Sequence, residues 1–149
     1  MRQLREAMAT PHRMADFATA GVGVRAILKR FSRDRDFAGC YVLIKDRKPA
    51  YVGISKKVVD RLRQHVLGTT DNAASLAYRI AKGRSPHALT RKGAMAEVAF
   101  QRTFNDARSE IRGLDVAFVA VDNPLVLYVF EAFAAMELDT CEWNTFETH

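Results

Sequence analysis

The sequence predicts an α+β fold: a small three-stranded antiparallel sheet flanked by helices, with extra helices before it and inserted within it. Three observations carry this expectation. Residues 39–54 read as a β-hairpin around a turn cluster. Stretches with apolar residues at helical spacing precede and follow it. A strand-like run at 114–121 leads directly into a proline-opened helix.

Residues 2–31 read as helical, with Pro11 dividing a first segment from Arg13–Thr19. Val24, Ile27, Leu28 and Phe31 then recur at helical spacing after Gly21 and Gly23. Gly21-Val22-Gly23-Val24-Arg25-Ala26 matches a loose G-x-G-x-x-A pattern, but no strand precedes it, so it reads as a helix junction. Gly39–Lys45 and Ala50–Ile54 are the hairpin strands, joined by the four residues Asp46-Arg47-Lys48-Pro49. Ser55 is a candidate N-cap for a helix from Lys56 to Leu67. Val58, Leu62 and Val66 form its apolar stripe, and Lys57, Arg61 and His65 follow at four-residue spacing beside it. Helices are expected over 73–82 and 93–111, a strand over Leu114–Val121, and a last helix from Pro124 to about Leu138. The expected organisation is a helical N-terminal extension (1–38) followed by one domain (39–149) with a helical insert at about 68–112.

At 149 residues, with 48% apolar and 27% charged residues, the chain has the composition of one globular domain. That excludes a collagen-like repeat, a disordered tail and a disulfide-dense mini-protein. Cys40 and Cys141 belong to no metal-binding spacing, which argues against zinc and for free thiols in a reducing, cytoplasmic setting. No stretch approaches the roughly 20 apolar residues of a membrane span, and no secretory leader pattern opens the chain. The charge is unevenly spread. Residues 1–50 carry 11 basic and 5 acidic side chains, residues 51–100 carry 9 and 3, and residues 101–149 carry 3 and 9. A basic first two-thirds suits a phosphate-rich partner, although scattered solvated lysines give the same total.

The chemistry-bearing residues cluster around the hairpin and the last helix. Gly39-Cys40-Tyr41 lies on one strand, Tyr51-Val52-Gly53 on the other, and Arg61 follows ten residues after Tyr51. Glu131 is the only charge from Pro124 to Met136, with Leu127, Tyr128, Ala134 and Ala135 as helical neighbours. Burying an unpaired carboxylate costs several kcal/mol, so such a helix either pairs it with a cation, for example Arg61, or uses it.

These blocks resemble the GIY-YIG nuclease family. Its Gly-Ile-Tyr triplet corresponds to Gly39-Cys40-Tyr41 and its Tyr-Ile-Gly triplet to Tyr51-Val52-Gly53, with Cys40 and Val52 expected to point into the core. The family's arginine matches Arg61, the histidine that some members carry one turn later matches His65, and its metal-binding glutamate matches Glu131. Its late asparagine matches Asn144, after Trp143. The matching blocks, 39–67 and about 113–147, cover less than half of the chain.

The resemblance implies a metal-dependent endonuclease that hydrolyses DNA phosphodiester bonds. Tyr41 is then a general base or water-orienting group, with Tyr51 sharing that role or positioning the phosphate. Arg61 clamps the phosphate, His65 contacts it or assists proton transfer, and Asn144 orients the site. Glu131 binds one Mg²⁺ or Mn²⁺. A single carboxylate suits magnesium, which keeps most of its waters, and a guanidinium suits a phosphate. A tyrosine acts as a base near neutral pH only beside positive charge, for which Lys45, Lys56, Arg61 or the metal are candidates. The alternative is a non-catalytic nucleic-acid-binding module of the same fold.

The expected partner is DNA of open strandedness, RNA being less favoured, with no membrane role. Lys45, Lys56, Lys57, Arg79, Lys82, Arg84, Arg91 and Lys92 are candidate backbone contacts. The core leaves no room for a separate DNA-binding domain, so substrate choice is expected from the extra helices, a homodimer or a partner protein. His12, His87 and His149 belong to no constellation and read as surface residues.

Overall fold

The computed structural model describes residues 1–144. Seven α-helices surround one antiparallel sheet among these residues: α1 (Arg2–Ala9), α2 (Val24–Arg30), α3 (Val58–Leu67), α4 (Ser75–Arg84), α5 (Arg91–Ala96), α6 (Val98–Arg112) and α7 (Pro124–Glu137). The sheet has four strands, β1 (His12–Arg13), β2 (Gly39–Lys45), β3 (Lys48–Ser55) and β4 (Asp115–Ala120), in the order β1-β4-β2-β3. The α+β class holds, and the expected three strands are corrected to four.

The added strand is the two-residue β1, which pairs His12 with Val116 and Arg13 with Asp115. Two residues are too few to show alternation, so the sequence gives no strand signal there. The His12 ring stacks on Phe118 at 5.4 Å and meets the edge of Phe31 at 4.9 Å. Met14–Ala18 forms a 3-10 helix, not an α-helix. Gly21, at φ +71°, and Gly23, the N-cap of α2, make the expected junction.

β2 is the central strand, and Gly39–Ile44 are all buried. Gly39 is required there because a β-carbon would collide with the Val119 carbonyl of β4. The β2–β3 turn is tighter than expected. Asp46 and Arg47, with φ of 49° and 65°, form a two-residue connection in place of four. The usual glycine of such a turn is absent, which hides it in the sequence. The register slips between Leu43 and Ile44, leaving Ala50 as the extra residue of β3. Pro49 is tolerated because β3 is an edge strand.

Helix α3 starts at Val58, two residues later than expected. Ser55 accepts from the Lys57 amide, but the helix proper is capped from a distance: Asp36 accepts from the amides of Val59 and Asp60 at 3.0 and 2.9 Å. The long helix expected over 93–111 is two helices, α5 and α6, broken at an extended Glu97. Gln101 donates to the Met95 carbonyl that the break releases. Asn123 caps α7 by accepting from Leu125 and Val126, with Pro124 in the first turn as expected.

Two apolar layers cover the sheet. On one face Tyr41, Leu43, Tyr51 and Val116 pack with α3, α4, α6 and the 3-10 helix through Phe17, Leu62, Ala77, Phe104 and Ile111. On the other, Cys40, Val42, Val52 and Ala117 pack with Leu4 of α1 and Leu127, Ala134 and Ala135 of α7. The N-terminal segment therefore contributes to both layers.

Candidate active site

The site is set by strand register. Tyr41 pairs with Gly53 and Leu43 with Tyr51, so both tyrosines lie on the α3 face, diagonal to one another, with ring centres 6.1 Å apart. Cys40 and Val52 point to the other face and are fully buried, as the triplets predict. Gly53 is part of the construction. A β-carbon there would lie 2.5 Å from Cζ and Oη of Tyr41, so the ring crosses β3 only because that residue has no side chain.

The Tyr41 hydroxyl meets His65 Nε2 at 2.7 Å. Sequence spacing put Lys57, Arg61 and His65 in one cationic row beside the apolar stripe. Positions four apart advance by about 40° around a helix, so the row turns inward along its length. Lys57 is exposed, Arg61 half-buried and His65 fully buried. Burial lowers the His65 pKa to about 3, helped by the charges of Arg61 and Arg79, so the ring is neutral. Its Nδ1 has no partner among the described residues.

Burial raises the Tyr41 pKa well above the ordinary tyrosine value; Tyr51 and Glu131 add to this, and Arg61 opposes it. Tyr51 is likewise raised, by burial first, with Arg79 opposing. Both hydroxyls keep their protons in the free protein.

Arg61 does not pair with Glu131. Nη1 donates to Gln64 Oε1 and the Ala73 carbonyl, and Nη2 donates to Ser75 Oγ at 2.7 Å. Arg61 thus ties α3 to the start of α4 and still presents charge to Tyr41. Arg79 of α4 is the residue whose position the sequence concealed. Its guanidinium lies 5.6 Å from the centre of the Tyr51 ring and donates to the Trp143 carbonyl. Its charge bears on Tyr51, His65 and Glu131. From the sequence Arg79 reads only as a contact to the nucleic-acid backbone. No local pattern marks it, because its place depends on how α4 docks.

Glu131 projects from α7 and is half-buried. Burial raises its pKa, with Arg79 opposing, and it makes no ion pair within 4 Å among the described residues. Its charge reaches Tyr41, Tyr51 and Cys40. Among the described residues no cluster of three or more His, Cys, Asp or Glu exists, so any metal here rests on this single carboxylate. Asn144 closes the edge of the sheet. Its Oδ1 accepts from the Val52 amide at 2.8 Å and its Nδ2 donates to the Val52 carbonyl at 2.7 Å. The asparagine therefore latches the turn after α7 onto β3, beside Tyr51.

Apart from Arg79, the candidate backbone contacts divide into two groups. Lys45 and Arg84 both pair with Glu110 of α6, at 2.7 and 2.6 Å, and Arg91 pairs with Asp71 at 3.1 Å while lying over the Tyr78 ring. The insert has no acidic residue from Tyr78 to Lys92, yet elements outside that stretch supply them. Lys56, Lys57, Lys82 and Lys92 are exposed and make no ion pair among the described residues. A cleft of about 850 Å³ opens beside the site, lined by Ser75, Arg79, Lys82, Arg84 and Trp143.

His87 is not a plain surface residue: its ring lies 4.9 Å from Phe100 and approaches the Tyr78 hydroxyl at 3.4 Å. His149 lies outside the described residues. Cys40 is buried, with its pKa pushed up to about 12 chiefly by burial, and Cys141 is exposed; both are free.

No family model matches the chain, and no curated protein or solved structure matches it. Among the described residues no helix is long and apolar enough to cross a membrane.

Proposed function

We propose that this chain is a GIY-YIG-type endonuclease, hydrolysing DNA phosphodiester bonds with the help of a divalent metal ion. One observation carries the reading. Two tyrosines, a neutral histidine and two arginines from β2, β3, α3 and α4 converge on one face of the β2–β3 hairpin, within electrostatic reach of Glu131, which makes no ion pair among the described residues. A structural ion pair would have given that carboxylate a cationic partner.

Magnesium takes one or two protein carboxylate oxygens and keeps its waters otherwise, a demand that Glu131 alone fits. Bound there, the ion supplies positive charge for the leaving oxygen and the crowded phosphate. Arg61 spends three of its five N–H donors on Gln64, Ala73 and Ser75 and also faces the Tyr41 hydroxyl, which leaves at most two for a phosphate oxygen beside that tyrosine. Arg79 covers Tyr51 and, among the described residues, is held by a hydrogen bond to the Trp143 carbonyl alone. A phosphate that draws its guanidinium outward uncovers Tyr51. Because burial keeps the proton on Tyr41 and off His65, the pair suits orienting a water by hydrogen bonds better than ionising in the resting protein.

The second reading, a nucleic-acid-binding module without catalysis, is favoured by one fact: Tyr41 is only 1% exposed. The two separate in a cleavage assay on labelled single-stranded, duplex and branched DNA and on RNA, with Mg²⁺, Mn²⁺ or chelator. Wild type is expected to cut DNA only with metal. Glu131→Gln, folded by circular dichroism, is expected to lose at least about 10²-fold in rate. Binding without cutting under both metals replaces the proposal with the binding module.

A further inference from the structure

Helix α7 buries Leu127, Ala134 and Ala135 against the sheet, yet its other side is not polar. Leu125, Val126, Tyr128, Val129, Phe133 and Met136 are each between 48% and 78% exposed. At about 100° per residue they occupy one arc of roughly 160°, with Ala132 inside it. A helix that is apolar all round is ordinarily covered on every side. Isolated exposed hydrophobics need no explanation, but a contiguous patch beyond a few hundred Å² marks a contact surface.

We propose that this face is where two copies of the chain pack, α7 against α7, about a twofold axis. The exposed surface of these six residues amounts to at most roughly 800 Å², about the share that one partner gives to a standard-size interface if all of it is covered. The stripe also complements itself, as an isologous contact requires. In an antiparallel pairing centred between Phe130 and Glu131, Leu125 faces Met136 of the second copy, Tyr128 faces Phe133, and Val129 faces the small Ala132. An apolar groove of about 340 Å³ beside Val129 and Phe133 offers a hole for the opposing knobs. At the rim, Arg5 pairs with Glu137 at 3.0 Å and Arg2 with Glu6 at 3.7 Å. Both signs are present, so two copies of this rim do not repel one another. A lipid surface fits less well: α7 carries no Lys or Arg, the residues that hold an interfacial helix on anionic lipid. The inference does not depend on the nuclease reading.

Sedimentation velocity of the full chain, from low to high micromolar concentration, tests it. A dimer is expected. Val129→Glu and, separately, Leu125→Asp are expected to raise its dissociation constant at least about thirtyfold. Leu125→Asp places a carboxylate in the first turn, where the helix dipole favours it, so a lost dimer with unchanged helicity is not a lost fold. A wild-type chain that stays monomeric throughout overturns the proposal. So does a dimer that both substitutions leave intact. A monomer that floats with vesicles of anionic lipid, and stops floating in either variant, gives the face to a membrane instead.

Discussion

The two faces of the β2–β3 hairpin are both buried, yet they do different work. On one face Cys40, Val42 and Val52 pack with aliphatic groups of α1 and α7. On the other, one residue along, Tyr41 and Tyr51 sit with His65 and beneath Arg79. The strands, the depth and the register are the same. The difference lies in what each face is packed against: the aliphatic groups of α1 and α7, with Glu131 as the one charge α7 brings before its last residue, or helices that bring imidazole and guanidinium groups inside. Keeping such groups in a core is costly unless they are partnered, and His65 Nδ1 has no partner among the described residues. A face that accepts that cost is the one to suspect of chemistry.

The largest predicted break in this contrast comes at Gly53. In Gly53→Ala the new β-carbon meets Tyr41 Cζ and Oη at 2.5 Å and must push the ring off His65. Overpacking of this kind costs about 1–3 kcal/mol, read as a lower denaturant midpoint. Cleavage is expected to fall further than the folded fraction does.

The next prediction separates the faces by pH. The His65 pKa is about 3 when folded against an ordinary 6.5, so between those values the unfolded chain binds more protons. Stability is therefore full above about pH 6.5 and is lost as pH falls towards 3, by up to about 1.4 kcal/mol per unit. Urea midpoints between pH 6.5 and 5, above the range of ordinary carboxylates, are expected to slope downward in wild type and in Glu131→Gln alike. They are expected to flatten in His65→Gln. Cys40, on the apolar face, does the reverse. Its pKa is raised from 9.0 to about 12, so its contribution is lost as pH climbs above about 9.

The smallest effects are expected at the surface. Lys82 and Lys92 make no ion pair among the described residues, whereas Lys45 and Arg84 share Glu110. Replacing Lys82 and Lys92 with Gln is expected to flatten the salt dependence of DNA binding by about 0.7–0.9 log units per lost contact. Replacing Lys45 is expected to change it less. Equal slopes for the two groups would mean that the Glu110 pairs open on binding.

The hairpin was legible because its information is local. Six consecutive buried residues in β2 read as a strand without help from the rest of the chain. Glu131 was legible for a similar reason, as a lone charge in an apolar helix. What the sequence hid depends on contacts between distant segments. Asp36 caps a helix more than twenty residues away, and Asn144, expected to orient the site, does so by bonding an edge strand 92 positions back. Arg79 comes to Tyr51 only through the docking of α4. The His65 case is intermediate. Its spacing from Arg61 was correct, but its burial follows from the inward drift of a four-residue row, which the cationic reading of that row obscured.

One paired measurement separates the hairpin's own side chains most directly, the tyrosines that act with Glu131 of α7 from the aliphatic residues between them: the metal-dependent cleavage rate per folded molecule in Tyr41→Phe and in Val52→Ala. Tyr41→Phe, which removes one hydroxyl at nearly unchanged packing, is expected to cut at least about 10²-fold more slowly. Val52→Ala is expected to lose roughly 2 kcal/mol of stability but to cut, once folded, at close to the wild-type rate. A Tyr41→Phe chain that cuts as fast as wild type, or losses of equal size in the two variants, would contradict that separation.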